Sequence, residues 1–441
     1  MTGRWWVLGS LTAVGLLILL ALGTAALPWL LPGEDASGRR IAAAAIFAAS
    51  YLALATGKVP GLSIDRAGVA LVGACLMVAS GVVSLEDAYR AVDLGTITLL
   101  LGMMIVVANL RISGFFALVN AWVARHVHRP VLLLAAIVVV SGLFSAFLVN
   151  DAICLVMAPL VLELTLGLGR NPVPYLLAVA MASNVGSTAT ITGNPQNMMI
   201  GSFSQIPYAQ FATSLAPVAL IGLVLTIALL ALVHRRDLRA LGRVGRAPRV
   251  RVNRVLVIRS LLATALVVAL FFAGQPPAKA AIIVGALLLL TRRVKSTRVY
   301  SEIDWSLLLM FTGLFIIVAG AERELLTPDV VAAVGELHLA STPMLAGVTA
   351  VLSNLVSNVP AVLLLKPFVA ALPEHGQAWL VVAMASTLAG NFTVLGSIAN
   401  LIVVEKAARR GVVIGFWDYF RVGAPLTVLT LVVGTLWLMW R

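Results

Sequence analysis

Long apolar runs, each close to the length of a membrane-spanning helix, constrain this chain more than any other feature. A helix of about 20 apolar residues crosses the roughly 30 Å hydrocarbon core of a bilayer. The 441 residues are 61% hydrophobic and only 11% charged, whereas a soluble protein carries about 25% charged residues. The pattern therefore predicts an all-α polytopic membrane protein and argues against a soluble fold.

Eleven runs have the length of a spanning helix, and two further apolar stretches are too long to cross the membrane once. The eleven predicted transmembrane helices are 6–30, 41–58, 66–85, 94–112, 174–205, 212–233, 256–273, 278–292, 303–321, 377–405 and 416–440. The two long stretches, 130–168 and 341–372, each contain polar residues midway. Because non-helical backbone at membrane depth must be buried or line a cavity, we expect two re-entrant hairpins there.

The distribution of basic residues predicts the orientation of the chain. The net charge is +13, and the linker 234–259 alone holds nine Arg and one Asp. That linker lacks aromatic residues for base stacking, so we expect it to set topology and to contact anionic lipid rather than nucleic acid. The basic loops that then fall on the cytoplasmic side are 122–129, 234–259, 292–298 and 406–410. This pattern favours a multi-pass protein of the inner membrane with a cytoplasmic N-terminus and an uncleaved first helix.

A weak internal repeat relates the two halves of the chain. The aligned pairs are Asp93 and Asp304, Gly102 and Gly313, Ser145 and Ser353, Asn150 and Asn358, Pro159 and Pro367, Ser183 and Ser386, Thr190 and Thr393, Gly193 and Gly396, and Asn197 and Asn400. Each unit holds five spans and one hairpin, and because five is odd the second unit is predicted to be inverted. The predicted organisation is an extra N-terminal helix at 1–40, a first repeat at 41–233, a basic cytoplasmic linker at 234–259 and a second, inverted repeat at 256–441.

Two polar blocks, SNVGSTATITGNPQN at 183–197 and TLAGNFTVLGSIAN at 387–400, interrupt otherwise apolar helices. Gly and Pro break intrahelical hydrogen bonds and free backbone groups, which in lipid need side-chain or ligand partners. Half-helix N-termini suit an anion, and free carbonyls and Asn oxygens suit a small cation. Ordinary helix packing by small residues is the alternative, but repetition of the block in both halves favours a substrate site at the midplane.

The candidate site residues follow from these blocks and from the hairpin interruptions. The predicted substrate-binding residues are Asn150, Ser357 and Asn358 at the hairpin tips, with Thr188, Thr190, Gly193, Asn194, Asn197, Asn391, Thr393, Gly396 and Asn400 in the interrupted helices. Asp151, with Asn150 and Asn358, is the candidate for ion coupling, because a carboxylate within the membrane is costly and is usually functional. Pairing with a cation is the alternative role for Asp151. Lys366 is a possible counter-charge for the anion, a partner for Asp151, or a side chain extending to a headgroup.

At these residues the sequence resembles the ion transporter superfamily. It is most similar to the citrate-transporter-like and arsenite-permease-like anion permeases, and more distantly to the divalent-anion/sodium symporters. The block SNVGSTATITGNPQNMMIGS carries the resemblance. The symporters have a Ser-Asn-Thr triplet in each hairpin, where this chain has Val149-Asn150-Asp151 and Ser357-Asn358-Val359. The resemblance therefore implies a site role for the two Asn residues but not for a Thr, together with an elevator-type movement and a possible homodimer.

These observations predict a secondary transporter of a small carboxylate or oxyanion, coupled to sodium or protons. The alternative is a cation/proton antiporter on the same scaffold, with Asp151 as the exchange carboxylate. The sequence contains no His-Glu-x-x-His and no Gly-x-Ser-x-Gly motif, which argues against an enzyme. Cys75 and Cys154 lie inside apolar runs without metal-site spacing, so we expect no cofactor or bound metal except Na⁺ as a coupling ion.

Overall fold

The part of the chain that the structure describes is helical throughout its regular secondary structure. The computed structural model describes residues 36–56, 63–127, 129–239, 252–327 and 338–441. The predicted first span at 6–30 and residues 240–251 of the basic linker lie outside the described residues. The described residues form nineteen α-helices and three short 3₁₀ turns.

The helices divide between the two halves of the chain. The first half holds α1 (Ala36–Thr56), α2 (Arg66–Ala79), α3 (Leu85–Ala91), α4 (Leu94–Ser113), α5 (Phe115–His126), α6 (Pro130–Phe147), α7 (Asn150–Gly167), α8 (Val173–Ser187), α9 (Pro195–Ser204) and α10 (Tyr208–Val233). The second half holds α11 (Arg254–Phe272), α12 (Pro277–Leu289), α13 (Ser296–Tyr300), α14 (Trp305–Leu325), α15 (Thr342–Val356), α16 (Asn358–Ala370), α17 (His375–Ala389), α18 (Ile398–Ala408) and α19 (Phe416–Trp440).

Eight of the described helices are long and apolar enough to cross a membrane. They are α1, α4, α6, α7, α10, α11, α14 and α19. Five more apolar helices, α2, α8, α12, α15 and α16, are shorter, with 13 to 15 residues each. The fold is therefore that of a polytopic all-helical membrane protein, in which long helices enclose several that are too short to cross alone.

Two helix boundaries in the first half differ by five or six residues from those predicted. Helix α1 begins at Ala36 rather than at residue 41, so Arg39 lies inside it, with its Nε 3.9 Å from Glu324 Oε1. Helix α2 ends at Ala79 rather than at residue 85, because Gly81 turns the chain at φ +70° and Ser84 then caps α3. A positive φ favours glycine, and hydropathy alone does not register such a turn.

The spans predicted at 174–205 and 377–405 are each divided into two helices, as the polar blocks suggest. Helix α8 ends at Ser187, a 3₁₀ turn covers Ile191–Gly193, and α9 starts at Pro195. In the second half a 3₁₀ turn at Val394–Gly396 separates α17 from α18. Pro195 has no backbone N–H and is suited to the first turn of a new helix, which explains where α9 begins.

The stretches 130–168 and 341–372 each form two helices that pack against each other. Only Leu148 and Val149 separate α6 from α7, and only Ser357 separates α15 from α16. Helices α6 and α7 have 18 residues each, whereas α15 and α16 have 15 and 13. Both turns place an Asn, Asn150 or Asn358, at the first position of the second helix; that the pairs are re-entrant stays a prediction.

The outer helices of the two halves interlock. Helix α4 packs against α11 and α12 of the second half, and α14 packs against α1 and α2 of the first. A Cβ at Gly102 would lie 2.6 Å from the Ala281 carbonyl carbon, and a Cβ at Gly313 would lie 2.5 Å from that of Ala70. Glycine permits this close approach of helix backbones, as is common at helix contacts within membranes.

Candidate functional site

The first helix interruption is held open by the side chain of one asparagine. Asn197 Nδ2 donates to Ser187 O at 3.1 Å and to Thr190 O at 3.0 Å. These carbonyls lie where α8 ends and therefore lack the intrahelical partners that a continuous helix would supply. Asn194 caps α9, its Oδ1 accepting from Asn197 N at 2.8 Å. The interruption is thus a satisfied, buried structure rather than a frayed helix end.

The second interruption has the same hydrogen bonds at the aligned positions. Asn400 Nδ2 donates to Gly390 O at 2.7 Å and to Thr393 O at 3.2 Å. In both interruptions the third residue of the 3₁₀ turn is a Gly. A side chain at that position would collide with the backbone that precedes the 3₁₀ turn. A Cβ at Gly396 would lie 2.8 Å from Gly390 O, and one at Gly193 would overlap Ser187 O.

Asn184 joins the interruption of the second half to the first half. Its Nδ2 donates to Asn391 Oδ1 at 2.9 Å and to Asn400 Oδ1 at 3.0 Å. Its Oδ1 accepts from Ser397 Oγ at 3.1 Å and from Asn150 Nδ2 at 3.1 Å. Asn184 is 1% exposed, so all four bonds are made away from solvent, where an unpaired amide is costly.

Thr387, at the position aligned with Asn184, makes the reciprocal connection. Its Oγ1 accepts from Asn194 Nδ2 at 3.1 Å and from Gln196 Nε2 at 3.3 Å. The same hydroxyl lies 3.4 Å from Asn197 Oδ1, to which it donates. Each half therefore uses one polar side chain before its interruption to bind residues after the interruption of the other half.

The two helix turns at Asn150 and Asn358 pack onto these interruptions. Ser183 Oγ donates to Asn150 O at 3.2 Å, and Ser145 Oγ donates to Ser183 Oγ at 2.9 Å. Asn358, oriented with its amide nitrogen toward the second interruption, donates to Ser386 O at 3.1 Å and to Gly396 O at 3.3 Å. Asn150 Oδ1 is buried and has no hydrogen-bond partner among the described residues.

A cavity of about 30 Å³ lies where both turns meet both interruptions. Its polar lining residues are Arg66, Asn150, Asp151, Gln196, Ser357, Asn358 and Ser397. Four of these, Asn150, Asp151, Ser357 and Asn358, are predicted site residues. Leu54, Leu307, Met310 and the two residues after Asn358 supply an apolar wall. A small volume bounded by amides, hydroxyls and one charge of each sign suits a compact polar solute.

A second cavity of about 80 Å³ also reaches Asp151. Its charged lining residues are Arg111, Asp151, Glu302 and Asp304. Arg111 Nη1 lies 2.5 Å from Glu302 Oε2 and forms an ion pair with it. Asp304 also caps α14, accepting from Leu307 N at 3.0 Å. Asp151 is the only charged residue that lines both cavities within the described part of the chain.

The remaining predicted binding residues lie behind the first cavity and do not line it. They are Thr188, Thr190, Gly193, Asn194, Asn197, Asn391, Thr393, Gly396 and Asn400. Thr190 Oγ1, for example, donates to Ala146 O and so ties the first interruption to α6. Their hydrogen bonds shape the interruptions that carry the lining residues, and their direct contact with a solute stays a prediction.

Lys366 lies away from both cavities. Its Nζ is 5.0 Å from the centroid of the Phe203 ring. A cation over an aromatic face is stabilised by the ring quadrupole. This placement tests none of the three roles considered for Lys366.

Arg66, Gln196, Ser397 and Asn184 are the site residues that sequence reasoning did not single out. Gln196 and Asn184 lie within the polar block 183–197, and Ser397 lies within 387–400. Alignment of Asn184 with Thr387, both polar, was a usable signal. Arg66 had no such signal, because an Arg at the start of an apolar helix reads as an ordinary flanking charge.

Comparisons with known proteins agree with this architecture. The citrate transporter family model matches residues 51–389. An uncharacterized transporter of Mycobacterium tuberculosis (strain ATCC 25618 / H37Rv) is 30% identical over 426 residues, covering 91% of this chain and 98% of the relative. The silicon efflux transporter LSI3 of Oryza sativa subsp. japonica is 28% identical, covering 86% of this chain and 93% of the relative.

The crystal structure of the YdaH transporter of Alcanivorax borkumensis has a similar fold. The TM-score is 0.58 at 15% identity, with 81% of this chain and 86% of that chain covered. The family match spans most of the chain, and the relatives are covered almost end to end. The resemblance read from the polar blocks is thereby confirmed, and the chain belongs to the citrate transporter family of membrane transporters.

Proposed function

We propose that the protein is a secondary active transporter that moves a small anion, a carboxylate or an oxyanion, coupled to sodium or protons. The observation that carries the proposal is the convergence of polar, interrupted helices from both halves on one cavity. Interrupted helices that meet at the centre of a membrane protein are typical substrate sites of secondary transporters. The cavity offers amide, hydroxyl and guanidinium donors to an anion.

We further propose that the two halves are inverted repeats. The proposed arrangement is eleven spanning helices and two re-entrant hairpins, divided as 1–40, 41–233, 234–259 and 256–441. The proposal is supported by the equivalent hydrogen bonds of Asn197 and Asn400 to aligned backbone carbonyls. It is also supported by the distribution of basic loops, which fall on one predicted side of the membrane. With this arrangement the N-terminus is cytoplasmic in the inner membrane.

An elevator-type movement is the transport mechanism that we propose. Helices α4, α11 and α12 pack together, and so do α1, α2 and α14, whereas α6 to α9 and α15 to α18 surround the interruptions. The cavity lies between α14 and the two turns, so sliding the second group past the first would change which side the solute reaches. A homodimer stays a prediction from the family resemblance.

For the site itself we propose two kinds of role. Asn150, Ser357 and Asn358 line the cavity and would contact the solute, with Asp151 holding the coupling cation or proton. The residues of the interruptions, from Thr188 to Asn197 and from Asn391 to Asn400, would keep the solute-binding backbone open. Asn150 Oδ1, buried without a partner, is an acceptor that a bound cation or a solute hydroxyl would satisfy.

A cation/proton antiporter is the second candidate function. The observation in its favour is that Asp151 lines both cavities and has Asp304 and Glu302 around the larger one. Carboxylates lining a connected path through a membrane protein suit proton or sodium movement. In this case Asp151 would be the exchanged site itself rather than the coupling site for an anion.

The proposal is tested by transport measurements on the purified full-length protein in proteoliposomes. Uptake of labelled citrate, arsenate and sulfate, and of neutral orthosilicic acid, would be measured under imposed sodium and proton gradients. We expect at least one of the anions to accumulate against its gradient under one of the imposed ion gradients. Sodium-driven proton movement with no anion transport would instead establish the antiporter, and movement of neutral solute alone would contradict the anion proposal.

The Asp151→Asn variant distinguishes the two candidates. An anion transporter should keep anion binding in this variant while losing ion-driven accumulation, because the neighbouring amides still line the cavity. An antiporter should lose sodium-driven proton movement altogether. Glu163→Gln, on the α7 helix but not in either cavity, is the matched control, and its transport should equal that of the wild type.

A further inference from the structure

Arg66 lies in the cavity, although it begins an apolar helix and has no place in either polar block. It is the first residue of α2 and lines the cavity together with Asn150, Asp151, Ser357 and Asn358. It is half-buried, and it is the only basic residue among those lining this cavity in the described part of the chain. The cavity wall thus contains a positive charge that comes from a different helix from Asp151.

The guanidinium of Arg66 has no carboxylate partner within the described residues. No Asp or Glu oxygen in that part of the chain lies within 4.0 Å of it, Asp151 included. The adjacent Asp65 is engaged elsewhere, since its Oδ1 accepts from Gly68 N at 2.8 Å as the cap of α2. A partly dehydrated charge without a counter-ion is costly, and a bound anion would supply that counter-ion.

A residue that lines the same cavity carries an unpaired acceptor. Asn150 is 3% exposed and its Oδ1 has no partner among the described residues. The residues that line the cavity therefore include a basic group on Arg66 and acceptors on Asn150 and Asp151. A solute that satisfies both kinds of group carries an oxyanion group and either brings a hydroxyl donor or binds together with a cation.

The other basic candidate, Lys366, does not reach this cavity. Its Nζ lies over the Phe203 ring, 5.0 Å from the ring centroid. Arg111 forms an ion pair with Glu302 in the second cavity. Arg66 is thus the basic side chain that is left available to a solute at the meeting point of the two turns. Its planar fork of N–H donors matches the two oxygens of a carboxylate or oxyanion.

We propose that Arg66 is the anion-binding residue of the cavity and the determinant that selects a charged oxyanion over a neutral hydroxide. This inference rests on the proposed function, because it names the substrate class of the same site. The rice relative is named as a silicon efflux transporter, and dissolved silicon at neutral pH is an uncharged hydroxide. The neutral solute is therefore the relevant competitor.

The experiment compares Arg66→Gln, Arg66→Lys and the control Arg90→Gln in proteoliposomes with citrate, arsenate, sulfate and orthosilicic acid as probes. Arg90 is exposed and pairs with Glu86 at 2.6 Å outside the cavities. We expect Arg66→Gln to raise the half-saturating concentration of the transported anion about tenfold or more, since a charge-assisted hydrogen bond is lost. Arg66→Lys, which keeps the charge but loses the fork, should show an intermediate increase, and Arg90→Gln none.

The possible results distinguish the role of Arg66 from the proposed transport function. An anion affinity within twofold of wild type in Arg66→Gln would overturn the role of Arg66 and leave the proposed function standing. Absence of anion transport by the wild type would overturn both. Size-exclusion profiles and melting temperatures of the purified variants identify misfolding, and if Arg66→Gln misfolds, an unchanged affinity in Arg66→Lys would contradict the geometric part of the proposal.

Discussion

The two helix interruptions share a pattern of hydrogen bonds but differ in how deeply their residues are buried. In both, an Asn after the interruption donates to the same two aligned carbonyls. The first interruption is buried at every residue from Thr188 to Asn197. In the second, Thr393 is half-buried and Leu395 is 72% exposed. The common hydrogen bonds set the shape, and the enclosure is a separate property of each half.

The caps of the following helices differ in the same direction. Asn194 caps α9 through its side chain. The aligned Ser397 is the N-cap residue of α18, but its side chain makes no cap hydrogen bond and instead donates to Asn184 of the other half. Pro195, which starts α9 with a fixed φ, has Ile398 as its counterpart. The first interruption is thus stiffened locally, and the second depends more on contacts with the other half.

The turns that meet the interruptions differ in charge. Asp151 follows Asn150 in the first turn, and Val359 follows Asn358 in the second. Ser357 of the second turn has φ +76°, a conformation that side chains other than glycine rarely adopt. Taken with Arg66 from α2, the charged groups of the cavity all come from the first half. The two interruptions have the same hydrogen bonds, whereas the charges of the cavity lining come from one half alone.

The largest expected effect comes from the Asn184→Ala change, set against Thr387→Ala at the aligned position. The Asn184 side chain makes four buried hydrogen bonds of 2.9 to 3.1 Å, and the Thr387 side chain makes three of 3.1 to 3.4 Å. Leaving several buried amides unpaired should cost about 3–5 kcal/mol in the free energy of unfolding for Asn184→Ala and roughly half that for Thr387→Ala. Thermal unfolding of the detergent-solubilised protein, followed by tryptophan fluorescence, measures both.

Equal losses in these two variants would show that the halves are coupled symmetrically despite the difference in their hydrogen bonds. Thr213→Ala provides a control and should change stability little, because Thr213 is exposed and its hydroxyl bonds only to Gln210 O within its own helix, at 3.1 Å.

The Gly193→Ala and Gly396→Ala changes test the difference in enclosure. A Cβ at Gly193 would overlap the Ser187 carbonyl oxygen, whereas one at Gly396 would lie 2.8 Å from Gly390 O, in the more open interruption. We expect a cost of about 2–3 kcal/mol at Gly193 and about 1 kcal/mol at Gly396. Gly347→Ala, with no heavy atom within 4 Å of its added Cβ, is the control and should be neutral. A larger loss at Gly396 would contradict the comparison.

The charge difference between the turns is tested by moving the carboxylate. Asp151→Asn should reduce ion-driven accumulation about tenfold or more, because the ionisable group at the junction of the two cavities is lost. The double variant Asp151→Val with Val359→Asp places the carboxylate at the aligned position of the second turn. Transport assays under sodium and proton gradients report both. Partial recovery in the double variant would mean that the turns are functionally equivalent, against the asymmetry described here.

The smallest effect is expected for Lys366→Met. Its Nζ lies over Phe203 and outside both cavities, so the half-saturating concentration of the anion should change by less than about twofold. The lost cation–π contact should cost about 0.5–1 kcal/mol of stability. Flux assays and melting temperatures measure the two quantities. A change in anion affinity as large as that of Arg66→Gln would support Lys366 as the counter-charge of the anion.

Much of the fold follows from the order of residues. The interruptions near residues 188–194 and 390–397 follow from Gly, Pro and Asn within apolar runs, because these residues act on the backbone beside them. The ends of α1 and α2 were misplaced by about five residues, since caps and turns are weak signals beside hydropathy. The split of the site into lining and supporting residues was not predictable, because every residue in the polar blocks has similar chemistry.

The order of amino acids by itself determined that the chain is helical, membrane-spanning and interrupted at two polar blocks, and it predicts that the two halves are repeats. Tertiary structure decided that Asn184 binds Asn391 and Asn400, more than 200 residues away, and that Arg66 joins Asp151 at one cavity. Periodicity and propensity act over a few neighbouring residues, whereas these contacts depend on how whole helices pack. Closing such long loops is favourable only once many helix contacts form together, so no local sequence pattern predicts these long-range contacts.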